Sequence, residues 1–131
     1  MKKLIFTFAT TIALSANAFA SNDLFDLDAN KYDRLRKKVA LSTAMDWETP
    51  LAAAKVCVKD KQNMSEAYTW IEHSIAIKET ASNLELKGDY LALHCLDQMA
   101  FEYYQKALVQ KIEKGETNFS SIQKKILALK K

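Results

Sequence analysis

Asp97 to Gln110 reads DQMAFEYYQKALVQ, and it follows a segment, Ala81 to Leu96, whose apolar residues also fall at helical spacing. Ala100, Tyr104 and Ala107 share one helical face, spaced by four and by three. Gly88 lies twelve residues before Ala100. Small residues at these places let two antiparallel helices approach closely and leave an aromatic ring to fill the gap. A helical glycine costs about 1 kcal/mol relative to alanine, so Gly88 needs a packing reason, and close approach by Ala100 is the expected one. Thirty-three residues earlier the arrangement recurs, with Ala67, Ile71 and Ser74 in the places of Ala100, Tyr104 and Ala107. The chain therefore reads as a repeat of helical hairpins.

The rest of the composition agrees. Two glycines and one proline in 131 residues are too few for sheets and long loops. The expectation is an all-α fold of antiparallel hairpins, about 48–80 and 81–112, stacked as a short array with flanking helices at about 31–46 and 118–130.

Residues 1–20 are set apart. Lys2 and Lys3 open a run, Leu4 to Leu14, that is apolar but diluted by threonine, and Ala18-Phe19-Ala20 ends it as a signal-peptidase site would. Spanning a bilayer needs about 20 apolar residues, so a cleavable signal and a periplasmic destination are expected, with no membrane insertion afterwards. Without Lys2 and Lys3 the 19 basic residues become 17 against 16 acidic, a net charge of +1. That balance offers no electrostatic footprint for nucleic acid. The remaining 111 residues (131 less 20) form one domain large enough for a core.

Asp26, Asp28 and Asn30 match the first ligand places of a calcium loop, but Lys31 and Lys37 stand where its glycine and closing glutamate belong. Asp28 or Asn30 is expected to cap a helix over Lys31 to Asp46, whose stripe is Tyr32, Leu35, Val39 and Ser42. Thr49 and Pro50 suit the start of the next helix, and Ser65 that of the one after, with Tyr68, Ile71 and Ile75 on its apolar side. Gly115 offers a stop for the helix from Asp97. Asn118 or Thr117 caps the last helix, with a stripe of Phe119, Ile122, Ile126 and Leu129. Too short to stand alone in water, that helix must dock, on its own chain in a monomer rather than on a second copy in a homodimer. Its lysines, Lys124 and Lys125, read as a solvated face.

Gly88, Ala100, Tyr104 and Ala107 carry a resemblance to tetratricopeptide repeats, which place a small residue on the first helix and alanine, aromatic, alanine on the second. The first copy follows in part, with Lys55 at the small place, Ala54 beside it, and Ser74 for the last alanine. The period is one short of the family's usual 34 and no proline closes either repeat. The resemblance spans Glu48 to Ile112, about half the chain. It implies stacked hairpins that bind a peptide or protein on the side lined by the first helices, with flanking helices as caps. By register it implies that Lys59, Glu85 and Asp89 line that side. Trp47 to Gln110 also resembles the helical C-terminal part of some secreted bacterial proteins of unknown function.

Tyr103, one residue off the Tyr104 stripe, is the candidate for an exposed aromatic contact. Cys57 and Cys95 are the only cysteines, and an even count in an oxidising compartment favours a disulfide. The repeat register sets them about five residues out of step, near 7 Å of rise, which leaves buried free thiols or a reactive role open. His73 and His94 lack the close ligand pairing of a zinc site. No serine elbow, phosphate loop or metal triad occurs, and no catalytic residue or cofactor is expected. The function expected is a periplasmic protein-binding module, an adaptor or an inhibitor of the immunity-protein kind. The alternative is a small secreted hydrolase or a ligand carrier.

Overall fold

The computed structural model describes residues 20–129, with side chains from residue 29 onward. The expected signal segment lies outside the described residues, as do Lys130 and Lys131. The described chain is all-helical: α1 Ala20–Leu41, α2 Glu48–Asp60, α3 Met64–Ile77, α4 Ala81–Leu93, α5 Asp97–Glu113 and α6 Ser120–Ala128. By packing the chain divides after Arg34 into two units. The first holds the beginning of α1. The second holds the rest, in which α2 pairs with α3, α4 with α5, and α6 closes on α5.

The starts of α2 and α4, and of α3 and α5, lie 33 residues apart, while α3 and α5 end at 77 and 113. α2 and α4 start at 48 and 81 and end at 60 and 93; α3 and α5 start at 64 and 97. The six face residues are all buried: Ala67, Ile71 and Ser74 in α3, and Ala100, Tyr104 and Ala107 in α5. The side chain nearest Gly88 is the ring of Tyr104. A β-carbon at Gly88 would stand 2.5 Å from Tyr104 Cε1 and 2.6 Å from Cδ1. In the first hairpin the small residues Ala53 and Ala54 are buried, while Lys55, expected at the small place, is exposed. Tyr68, expected on the apolar side of α3, is 43% exposed, and Trp70 is buried instead.

Several expected helix ends move. Asp26 to Asn30 lie inside α1, so they form neither a cap nor a calcium loop, and α1 stops at Leu41, short of Asp46. Asp46 instead caps α2. Its Oδ1 accepts from the backbone N–H groups of Glu48 and Thr49 at 3.0 Å, and Oδ2 accepts from the Thr49 hydroxyl at 2.6 Å. A carboxylate there meets free N–H groups and the positive end of the helix dipole, so it displaces Thr49 as the cap. Those bonds, that from the Thr49 side chain foremost, hold the Asp46 carboxyl below its ordinary value. Ser65 lies within α3, whose N-cap is Asn63 in the left-handed region. Thr80 and Asn83 form a capping box at the start of α4. Asn118 accepts from the Ser120 N–H at 3.1 Å and so supports the start of α6.

Three helices end in the same hydrogen-bond pattern. Lys61, Cys95 and Gly115 take positive φ (55°, 59° and 75°). In each case the residue's own N–H and that of the following residue bond back across the last turn, Lys61 to Val58 and Gln62 to Cys57, Cys95 to Ala92 and Leu96 to Leu91, Gly115 to Ile112 and Glu116 to Lys111. With only two glycines in the chain, two of these three helix ends fall to other residues.

Ile122 of α6 is buried among Leu84, Leu91, Ala100, Tyr104 and Ala107, with Phe119, Ile126 and Leu129 packed against them. The last helix thus docks on its own chain through the expected stripe.

Candidate functional site

α4 is the helix around which the polar groups gather. At about 100° per residue its side chains divide into three faces. Leu84, Gly88 and Leu91 enter the core. Glu85 and Asp89 lie on a second face, and Lys87, Tyr90 and His94 on a third.

On the second face Lys125 of α6 reaches both carboxylates, 2.7 Å from Glu85 Oε1 and 2.8 Å from Asp89 Oδ2. The Tyr104 hydroxyl donates to the other oxygen of Asp89 at 2.8 Å. Burial pulls the Lys125 ammonium down, but its hydrogen bonds to Asp89 and Glu85, with their charges, outweigh that and leave it raised. Burial, then the bond to Asp89, pushes the Tyr104 phenol well above its ordinary range. The group therefore sits as one ammonium, two carboxylates and a neutral phenol. It borders a small groove of about 140 Å³ lined by Leu51, Lys55, Ser82, Glu85, Leu86, Asp89 and Lys125. α2, α4 and α6 all contribute to it. Lys125, read from the sequence as part of a wet face, is the residue that reasoning missed. Its partners lie 36 and 40 residues away, beyond the reach of any local spacing rule.

The third face surrounds a buried cation. The Lys87 side chain is 4% exposed and pairs with Glu72 of α3. Its ammonium lies 3.9 Å from the Tyr68 ring centroid and 5.7 Å from that of Tyr103. A buried ammonium is tolerable because it is paired and rests against aromatic faces. Tyr90 stacks on Tyr68 at 5.4 Å and on His94 at 4.5 Å. Tyr103, expected as an exposed contact, is half-buried between Lys87 and Lys106.

The four residues expected to bind do not form one surface. Glu85 and Asp89 come together, one turn apart. Lys59 is exposed on α2 and does not line their groove, where Lys55 stands instead. Tyr103 belongs to the other side of α4. The expected disulfide is not formed: Cys57 and Cys95 are not bonded to each other. Cys57 is fully buried in α2, whereas the left-handed turn after α4 carries Cys95 out of the apolar face and exposes it. Cys95 lines a cleft of about 450 Å³ with Ala92, Asp97, Tyr104, Lys125, Ala128 and Leu129. Among the described residues no three histidine, cysteine or acidic side chains are grouped to hold a metal, and no helix is long and apolar enough to cross a membrane. Compared with models of known families, with curated proteins and with solved structures, the chain gives no significant match.

Proposed function

We propose that this chain is an exported, periplasmic protein-binding module, an adaptor or an inhibitor of the immunity-protein kind, built on tetratricopeptide-like hairpins and acting without catalysis or cofactor. The observation that carries this reading is the 33-residue offset between the starts of α2 and α4 and of α3 and α5, with the matching face residues of α3 and α5 buried. Repeated hairpins present long helix faces to solvent, which suits a macromolecular partner better than a small substrate. The convergent polar groups support it too, since Glu85, Asp89, Lys125 and Tyr104 already satisfy one another. Affinity capture from periplasmic extract tests the proposal. A single stoichiometric protein, identified and rebound in purified form, is the expected result; recovery of no such partner under native conditions counts against it.

A small-ligand carrier or a hydrolase is the second reading. The cleft beside Cys95, Asp97 and Tyr104 favours it, because its roughly 450 Å³ lies in the range of small-molecule sites. A copurifying small molecule, or turnover in a broad substrate screen, would replace the first reading with this one.

A further inference from the structure

The outward face of α5 departs from what a solvated helix needs. Val109 and Ile112 are 52% and 55% exposed. Both are β-branched, which disfavours a helix unless burial offsets it. They stand one turn apart, on the side opposite the buried Ala100, Tyr104 and Ala107. Val109 opens onto a groove of about 670 Å³, bordered by Glu102 and Glu113 of α5 and by Glu79 of the link between α3 and α4. Among the described residues Glu102 and Glu113 have no ion pair, while Glu79 accepts only the Gln110 amide, at 3.1 Å. The one cation in the lining, Lys106, lies over the Tyr103 ring at 4.9 Å. The groove near Glu85 and Asp89 differs, because Lys125 supplies its own countercharge.

We infer that the outer face of α5 docks a basic amphipathic helix of a partner protein, whose cations meet Glu102 and Glu113 and whose apolar side chain meets Val109 and Ile112. This rests on the protein-binding reading above and names its surface. The spacing sets the partner's pattern. Glu102 and Glu113 are eleven positions apart (113 minus 102), about 16 Å along the helix, so a helix lying along α5 matches them with two cations at the same interval. Val109 falls between them, so the apolar anchor falls between those cations. A helix laid along an apolar groove with charged rims is an established mode of recognition.

The test uses the full chain and a synthetic amphipathic helix with lysines eleven positions apart and leucines between them. A control peptide carries glutamates in place of the lysines. Isotope-edited NMR should show amide shifts gathered at Glu79 and at Glu102 to Glu113 with the lysine peptide only. Glu102→Lys combined with Glu113→Lys should weaken binding about tenfold or more, and Val109→Ser should weaken it less. Circular dichroism should be unchanged, since these side chains are exposed or lie on the rim. Absence of shifts, shifts centred on Lys55, Glu85 and Asp89, or binding indifferent to the charge reversal would overturn the inference. So would concentration-dependent self-association that the same variants abolish, because it would assign the face to a second copy of this chain. None of these outcomes depends on the capture experiment, which judges protein binding as such.

Discussion

The two hairpins share a length plan but fill their cores differently. In α4 and α5 an aromatic ring lies directly on a glycine, and its hydroxyl is tied to Asp89. In α2 and α3 the place matching Gly88 holds the exposed Lys55, with the buried Ala54 beside it, and the place matching Tyr104 holds Ile71. There the last small residue is Ser74, whose hydroxyl donates to the Trp47 carbonyl at 2.8 Å and accepts from the Asn83 amide at 3.1 Å. Asn83 in turn donates to the Lys78 carbonyl at 2.8 Å and takes part in the capping box with Thr80. The second hairpin is thus fixed by volume, and the first is joined to its neighbour by a buried hydrogen-bond network. Two hairpins with matching helix starts can be held together by different means.

That contrast breaks most readily at Gly88. Gly88→Leu should lower unfolding free energy by about 3 kcal/mol or more, because the Tyr104 ring is buried and cannot move aside. Ala54→Leu, at the buried place beside Lys55, should cost about 1–3 kcal/mol. Lys55→Leu should change little, since Lys55 is exposed. Urea denaturation measures all three, and equal midpoints for Gly88→Leu and wild type would refute the contact with Tyr104.

Ser74→Ala probes the other hairpin's device. It restores the alanine found at position 107 but strips the Trp47 carbonyl and the Asn83 amide of a buried partner. A loss of about 1–2 kcal/mol is expected. A neutral result would mean that volume alone governs both hairpins.

Tyr104→Phe separates ring from hydroxyl. It should cost about 1 kcal/mol at neutral pH, far less than Gly88→Leu. The raised Tyr104 phenol keeps its proton in the fold, so stability is insensitive to this group below about pH 10 and falls as pH rises further. The raised Lys125 acts in the same direction. Its contribution is full below the ordinary lysine value and is lost as pH rises through its higher folded one. Denaturation midpoints between neutral and alkaline pH should therefore fall less steeply for Tyr104→Phe than for wild type. An identical slope would remove the phenol from the account.

The smallest effects belong to the turns. Lys61→Gly and Cys95→Gly should each stabilise by up to about 1 kcal/mol, since both residues hold a left-handed conformation that glycine adopts freely. Thermal melts of the two variants compare the paired turns directly. Destabilisation by either one would show that its side chain supplies more than the backbone conformation loses.

The all-helical class and the buried faces of α5 and α6 were legible in the sequence, as were Ala67, Ile71 and Ser74 of α3, though not the exposure of Tyr68. Helix periodicity and scarce turn residues are local properties, and Ala100, Tyr104, Ala107 and Ile122 declare their face within one or two turns. Helix ends were less legible. Asp46 and Thr49 are both good caps, and only the path of the chain after Leu41 chose between them. The candidate site was half legible. Glu85 and Asp89 could be placed on one face of α4, but the cation between them comes from α6, and docking of α6 alone put Lys125 there. Lys87 was silent for the same reason, because a lysine is buried only where distant side chains such as Glu72, Tyr68 and Tyr103 converge to stabilise its charge. The two cysteines show the limit most plainly. Their number favours a bond, but the left-handed turn after α4 keeps Cys95 exposed while Cys57 is buried. Sequence fixes what repeats along one helix, whereas contacts between helices depend on how their axes come together, and that is a property of the folded chain.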